Sequence, residues 1–198
     1  MIIVTGGAGF IGSNFILKFL ESSNENLLNL DNLSYAANLS NLKTINTDPR
    51  YSFTKINIQN QSEVEAIVKE VKPRAILNFA AESHVDRSIE GPESFINTNI
   101  LGTYSLLEAA LNYWNDLDES GKKIFRFFHI STDEVFGSLD INDKKSTEES
   151  SYKPNSPYSA SKAASDHLVR AWHHTFKLPT LVSNGTNNYG PHQHEEKL

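Results

Sequence analysis

Two short clusters carry the residue types from which catalytic chemistry could be built. Tyr158 and Lys162 stand four residues apart, so on a helix they share one face, and the ammonium group could lower the pKa of the phenol. A phenol prepared in this way is a base. The run Ser131–Glu134 adds two neighbouring carboxyl groups, Asp133 and Glu134, which suit a reaction that moves protons during an elimination. Together the clusters predict a hydride transfer that is coupled to loss of water.

The segments around these clusters are typical of a parallel sheet. Short apolar runs alternate with stretches of helical period, which is the pattern of βαβ units. It predicts strands at residues 2–5, 27–30, 51–56, 75–79, 124–130 and 180–182. It predicts helices at residues 11–20, 62–71, 94–114 and 156–176, with surface loops at 116–123 and 140–151. We therefore expect an α/β protein with a Rossmann-like, doubly wound parallel sheet.

The predicted helix at residues 94–114 has one apolar face. Its residues at spacings of three and four are Ile96, Ile100, Thr103, Leu107, Leu111 and Trp114. Such a stripe predicts a face that packs on the core, and part of it could also meet a partner subunit.

A glycine-rich turn, Thr5–Gly12, joins the first predicted strand to the first predicted helix. Gly6, Gly9 and Gly12 match the pattern G-x-x-G-x-x-G. Glycine lets a pyrophosphate approach the backbone N–H groups at the positive end of a helix. Asp31 follows Gly12 by 19 residues, at the end of the next strand, where a carboxylate accepts hydrogen bonds from an adenosine ribose. The carboxylate would repel a 2'-phosphate, so we predict NAD rather than NADP.

Composition narrows the possible classes further. The 198 residues are 38% hydrophobic and 21% charged, as in one ordinary globular domain, and the net charge of -6 argues against nucleic acid or anionic lipid as a partner. The absence of cysteine excludes disulfides and thiolate zinc sites. With no apolar run of membrane-spanning length and no signal-peptide pattern, we expect a cytoplasmic location and no membrane association. The histidines at 173, 174, 192 and 194 lack a third ligand at suitable spacing, so we predict no metal.

Five segments, in order along the chain, resemble one enzyme family. They are the glycine-rich turn and residues 78–88, 131–137, 158–162 and 187–191. The run Ala-Ala-Glu-Ser-His-Val-Asp-Arg-Ser within 78–88 and the triplet Thr-Asp-Glu at 132–134 are similar to the dTDP-glucose 4,6-dehydratases. That family lies within the extended short-chain dehydrogenase/reductase superfamily, with which the turn and the Tyr-x-x-x-Lys pattern are shared.

The resemblance implies a catalytic set and a reaction. Tyr158, assisted by Lys162, would remove the proton of the sugar 4-hydroxyl as hydride passes to NAD, with Thr132 hydrogen-bonded to the same oxygen. Glu134 would remove the C5 proton while Asp133 donates a proton to the departing 6-hydroxyl. Hydride would return to C6, giving dTDP-4-keto-6-deoxyglucose.

The same resemblance implies binding residues for a cofactor, a substrate and a partner. NAD would be bound by Gly6, Gly9, Phe10, Ile11, Gly12, Asp31, Ser34, Asn57, Ile58, Ala80, Ala81, Ser83, Thr98, Tyr158, Lys162 and Asn188. The nucleotide sugar would contact Glu82, Thr132, Asn187, Lys197 and Leu198. A homodimer would form through the helices at 94–114 and 156–176. The chain departs from the family pattern at three places, since Asn57 replaces the usual Asp, Phe136 the usual Tyr, and Asn184-Gly185-Thr186 the usual Arg-Cys-Ser run.

The expected organisation is an NAD-binding domain at residues 1–186, followed at 187–198 by the start of a C-terminal substrate lobe that is largely absent. Two alternative functions stay open. An NAD-dependent nucleotide-sugar epimerase would share the turn and the Tyr-x-x-x-Lys pattern, but it would not need both Asp133 and Glu134. A truncated, non-catalytic NAD-binding module would fit the ending at Leu198.

Overall fold

The computed structural model describes residues 1–195, which form one six-stranded, fully parallel sheet with helices on both faces. The strands are β1 (Ile2–Thr5), β2 (Leu27–Asp31), β3 (Tyr51–Lys55), β4 (Ala75–Asn78), β5 (Arg126–Thr132) and β6 (Thr180–Gly185). The helices are α1 (Phe10–Ser22), α2 (Gln61–Val71), α3 (Val85–Glu90), α4 (Pro92–Phe95), α5 (Thr103–Asn115), α6 (Glu119–Ile124) and α7 (Pro157–Phe176). The strand order β3-β2-β1-β4-β5-β6 is the doubly wound Rossmann arrangement, which confirms the predicted fold class.

Each face of the sheet has its own hydrophobic core, because successive side chains of a strand point to opposite faces. Ile3 and Ile76 pack on the side of α2 and α5, where Leu106 is fully buried. Ile2 and Val4 pack on the other side, against α1. Burying one such side chain contributes about 1.5–3 kcal/mol relative to leaving it exposed. The central strands β1 and β4 are buried along their whole length.

The region before β5 differs from the expectation. Residues 116–123 were expected to form a loop and β5 to begin at Ile124, but Ile124 is the last residue of helix α6. The helix begins after Asp118, whose Oδ1 accepts a hydrogen bond from the Gly121 backbone N–H at 2.7 Å. A charged segment that is also well capped can form a short helix without an apolar face, and this is why periodicity did not indicate α6. Helix α3, which begins in segment 78–88 and ends at Glu90, was not predicted either.

The long helix was expected as one amphipathic segment at 94–114, and it contains an irregular turn. Residues Ile96–Gly102, between α4 and α5, form a π-helix. The wider turn changes which side chains face the core. Ile96, expected in the buried stripe, is 49% exposed, whereas Phe95 and Asn99 are buried. The predicted stripe is therefore wrong at its beginning, although Thr103 and Leu107 are buried as expected.

The carboxyl ends of the strands bring the predicted site residues to one edge of the sheet. Strand β1 leads into the glycine-rich turn, β2 ends at Asp31, and β5 ends at Thr132. Successive strands are added to one side of β1 up to β3 and to its other side from β4 onward. Ligands of open α/β sheets bind where the strand order reverses in this way. Within residues 1–195, no helix is both long enough and apolar enough to cross a membrane.

Candidate active site

The glycine-rich turn closes tightly against the end of β4, so that no side chain stands over the start of α1. Gly6 has a φ of 69°, and a Cβ at this residue would lie 2.6 Å from the Ala80 backbone nitrogen. A Cβ at Gly12 would meet the carbonyl oxygen of Gly6. Both positions thus require glycine, and the free space above the N-terminus of α1 is suited to an anionic group.

Asp31 holds this turn in place as well as facing the cavity. Its Oδ2 accepts a hydrogen bond from the Ala8 backbone N–H at 2.9 Å, and its Oδ1 accepts one from Leu33 at 2.8 Å. The side chain is buried at the end of β2. The sequence indicated a ligand-binding carboxylate, whereas this structural role comes from a turn that folds back on β2.

A cavity of about 630 Å³ runs from the turn to the ends of β5 and α7. Every residue predicted to bind the cofactor lines it. Of the residues predicted to contact substrate, Glu82, Thr132 and Asn187 line it too. The remaining two, Lys197 and Leu198, lie outside the described residues. Of the predicted catalytic residues, Asp133 is half-buried but does not line this cavity.

Tyr158 is positioned by the first turn of α7. Ser156 caps this helix, since its side chain accepts from the Ser159 N–H while the Ser159 side chain accepts from the Ser156 N–H. Burial is the main reason that the pKa of Tyr158 is raised to about 12, and the negative charge of Glu134 acts in the same direction. The Thr132 side chain lies beside Tyr158 and opposes this rise in its pKa.

Lys162 lies one turn further along α7 and is almost completely buried, at 3% exposure. Its Nζ donates a hydrogen bond to the Ile130 carbonyl oxygen at 2.6 Å. Burial lowers its pKa to about 8, and the negative charge of Asp166 opposes this shift. Burial raises the pKa of Tyr158 here, and the lowering expected from Lys162 together with the nicotinamide ring stays a prediction for the NAD-bound site.

The acid pair lies in a single helical turn, Asp133–Phe136, directly after β5. The Thr132 side chain accepts a hydrogen bond from the Glu134 backbone N–H at 3.2 Å and lies 3.4 Å from Asp133 Oδ1, to which it donates. Glu134 faces the cavity from this turn. Thr132 is thus the residue that links the acid pair to Tyr158.

Two residues at this site were not assigned a role from the sequence. Asn99 is buried, and its side chain bonds both backbone groups of Glu82 at 2.9 Å and the Ser161 hydroxyl at 2.8 Å. It thereby ties the segment after β4 to α7. Tyr35 lines the cavity and carries the Arg87 guanidinium 3.9 Å above its ring. The sequence signal available for Asn99 was an asparagine inside an apolar helix. No local sequence signal indicates the position of Tyr35.

No group of three or more histidine, aspartate or glutamate side chains that could hold a metal ion is found within residues 1–195. Glu82 lines the cavity, and its pKa is raised above the ordinary value. Burial is the main cause of this rise, and the positive charge of Arg87 opposes it.

The sheet order, the glycine-rich turn and the buried Tyr-Lys pair define a Rossmann-like domain of the short-chain dehydrogenase/reductase type. The profile of one family, described as GDP-mannose 4,6 dehydratase, matches residues 3–198. The chain belongs to this family.

Relatives within this family carry a more specific name. The chain is 53% identical over 197 residues to the dTDP-glucose 4,6-dehydratase of Haemophilus influenzae, covering 100% of this chain and 58% of the relative. It is 54% identical over 196 residues to that of Xanthomonas campestris pv. campestris, covering 99% of this chain and 55% of the relative. The chain thus spans somewhat more than half the length of these relatives, and the resemblance seen in the sequence is confirmed.

Solved structures agree with this relationship. The dTDP-glucose 4,6-dehydratase of Streptomyces venezuelae, with NAD and TYD bound, aligns with a TM-score of 0.90 at 42% identity, covering 100% of this chain and 59% of that one. A UDP-glucose 4-epimerase of Thermus thermophilus, in complex with NAD, aligns with a TM-score of 0.83 at 29% identity, covering 98% of this chain and 57% of that one. Both reactions thus occur on this fold.

Proposed function

We propose that this chain carries the NAD-binding and catalytic residues of a dTDP-glucose 4,6-dehydratase, which converts dTDP-glucose to dTDP-4-keto-6-deoxyglucose with loss of water. The observation that carries the proposal is that the glycine-rich turn, Tyr158, Thr132 and Glu134 all face one cavity. Residues 1–186 would form the NAD-binding domain, and residues from 187 onward would begin the substrate lobe.

The shape and donors of the cavity fit NAD. A side chain at Gly6 or Gly12 would collide with neighbouring backbone, so glycine allows the tight turn at the start of α1, where backbone N–H groups can receive a pyrophosphate. Asp31 offers carboxylate oxygens at the end of β2, where the ribose would lie, and its charge disfavours a 2'-phosphate. When bound, NAD would supply the hydride acceptor and a positively charged ring beside Tyr158.

Tyr158 would act as the first base. It removes the proton of the sugar 4-hydroxyl, and Thr132, which lines the same cavity, holds the same sugar oxygen. Because burial raises the pKa of Tyr158 to about 12, its phenolate needs positive charge nearby. Lys162 supplies one such charge when it is protonated.

The acid pair would carry out the elimination. The ketone at C4 makes the C5 proton acidic, so Glu134 removes it while Asp133 donates a proton to the departing 6-hydroxyl, which leaves as water. Glu134 then returns a proton to C5 when hydride arrives at C6. An epimerase, which also fits this fold, has no water to remove and no need for two acids.

A homodimer in the cytoplasm is proposed as the working form. Apolar side chains on two neighbouring helical segments support an interface between copies. Leu101 and Tyr104 are 51% and 38% exposed, and Phe176 at the end of α7 is 45% exposed. The Tyr104 and Phe176 rings both pack on Trp172, so these side chains form one apolar surface.

The experiment separates the two halves of the reaction. Glu134→Gln, incubated with NAD and dTDP-glucose, should still oxidise C4 and accumulate reduced cofactor, followed by its absorbance, while loss of water falls about 10²–10⁴-fold. Glu149→Gln, an exposed acid in a distant loop, serves as the matched control and should behave as the unaltered chain. Full dehydration by Glu134→Gln, or a C4 epimer as the product of the unaltered chain, would reject the dehydratase.

A further inference from the structure

Beneath Tyr158 lies a buried polar cluster that the proposed reaction does not use. His129, on β5, is 1% exposed, and Asp166, on α7, is 4% exposed. Asp166 follows Lys162 by four residues, so their side chains share one face of α7. His129 Nε2 lies 3.4 Å from Lys162 Nζ and 3.4 Å from Asp166 Oδ1. The imidazole therefore stands between a buried ammonium and a buried carboxyl group.

The hydrogen bonds around His129 fix its tautomer. Thr5 accepts from the Ala80 N–H, so its hydroxyl donates to Asn78 Oδ1 at 2.7 Å and the Asn78 Nδ2 points the other way. That NH₂ group lies 3.2 Å from His129 Nδ1, which must accept. The proton of the ring is consequently on Nε2, which lies 3.4 Å from both Asp166 Oδ1 and Lys162 Nζ. Burial and the charge of Lys162 hold the pKa of His129 well below its ordinary value, so the ring is neutral.

Asp166 is arranged as an anion. Its Oδ2 accepts hydrogen bonds from Ser131 Oγ at 2.7 Å, Tyr152 OH at 2.9 Å and Asn184 Nδ2 at 3.4 Å. Its Oδ1 accepts no hydrogen bond from residues 1–195 and lies 3.4 Å from His129 Nε2. Burial raises the pKa of Asp166, while these donors and the Lys162 charge oppose the rise. Three neutral donors on one oxygen stabilise a carboxylate, not a protonated acid.

A buried ammonium without a counter-charge is costly, and it then loses its proton instead. We propose that Asp166 is a positioning residue for Lys162: across the neutral His129, its carboxylate keeps the ammonium charged and held beneath Tyr158. The role of Lys162 in the reaction rests on the proposed function, whereas its charge is a property of this chain alone.

Among the titratable groups on α7 and on the elements packed against it, Asp166 is the one placed to balance the charge of the Lys162 ammonium. Tyr152 and Tyr158 are neutral near pH 7, since the pKa of each is raised to about 12. Asp133 and Glu134 lie at the cavity end of β5, beside Thr132. The charged side chains of α3 and α4 are exposed, and β6 has no titratable side chain. The Glu108 carboxylate on α5 accepts a hydrogen bond from Trp172 Nε1.

The test measures the charge of Lys162 directly. The chain is labelled with ε-¹³C-lysine, the Lys162 signal is assigned by its loss in Lys162→Arg, and its chemical shift is followed from about pH 6 to pH 11. Because the carboxylate raises the pKa of Lys162, Asp166→Asn should lower it from about 8 by about one unit or more. Glu108→Gln removes a carboxylate on the neighbouring helix α5 and should leave the titration unchanged.

A second variant tests the proposal if Asp166→Asn does not fold. Asp166→Ser also removes the carboxylate and keeps a small polar side chain, so it should lower the pKa of Lys162 by a similar amount. An unchanged Lys162 titration in folded Asp166→Asn, or in Asp166→Ser if the former does not fold, would overturn the proposal.

Turnover supplies an independent readout. The alkaline limb of the pH profile should move to lower pH by the same amount as the Lys162 titration. An inactive unaltered chain whose Lys162 titration still shifts in Asp166→Asn would reject the proposed function and retain the Asp166–Lys162 pair.

Discussion

Burial acts in opposite directions on the two residues that the sequence marked first. It raises the pKa of Tyr158 to about 12 and lowers that of Lys162 to about 8. Both shifts favour the neutral side chain, so the protein fold by itself does not prepare a phenolate. Nearby positive charge must do so, and this makes the charge state of Lys162 central to the site.

We expect Tyr158→Phe to separate binding from chemistry. The change removes only a hydroxyl, so NAD affinity measured by calorimetry should stay within about threefold. Turnover of dTDP-glucose should fall about 10²–10⁴-fold, because the first base is lost. Tyr113→Phe, which removes a hydroxyl outside the cavity, is the control and should keep most of the turnover. Similar activity of Tyr158→Phe and the unaltered chain would remove Tyr158 from the mechanism.

Asp31 carries a second prediction at this scale. Asp31→Ala should weaken NAD binding about 10–150-fold, because a hydrogen bond to a charged acceptor contributes about 1.5–3 kcal/mol. The measurement is calorimetry with NAD, beside a urea unfolding curve that reports the loss of the bonds to Ala8 and Leu33. Asp140→Ala, in an exposed loop, is the control. Equal NAD affinity in Asp31→Ala and the unaltered chain would restrict Asp31 to a structural role.

Among the elements, strands were the easier part to predict. Buried parallel strands such as β1 and β4 are apolar on both faces, so composition alone indicates them. Helix α6 depends on a cap at Asp118, and the π-helix at Ile96–Gly102 depends on tertiary packing. Neither leaves a periodic pattern. The candidate site was predictable where a motif lies within one segment, whereas the pairing of His129 with Asp166 joins β5 to α7 and has no local signal.

The turn between β1 and α1 gives a prediction at the scale of elements. In Gly12→Ala the new methyl group meets the Gly6 carbonyl, and strain of this kind costs about 1–3 kcal/mol. Urea unfolding should show this loss, and NAD binding should weaken as the turn moves. Gly91→Ala is the control, because its Cβ would have only the Arg87 carbonyl at 3.9 Å. Equal stability of Gly12→Ala and Gly91→Ala would contradict the close approach at the turn.

Dimer formation and the complete dehydration reaction are the two proposed properties that belong to the whole molecule. The exposed surface formed by Leu101, Tyr104 and Phe176 predicts a dimer. Leu101→Asp should shift the sedimentation coefficient to that of a monomer, because a buried unpaired carboxylate is costly. Leu139→Asp places the same charge on an exposed loop residue, 52% exposed, and should leave the dimer intact. A dimer that persists in Leu101→Asp would exclude this surface.

The central claim is that one cavity couples hydride transfer to loss of water. The most direct measurement supplies dTDP-glucose deuterated at C4, with NAD, and locates the label in the product by NMR and mass spectrometry. The proposed hydride transfer from C4 to C6 should give a 4-keto-6-deoxy sugar that has lost one water and carries the deuterium at C6. A product that keeps its water and returns the deuterium to C4 with inverted configuration would contradict it.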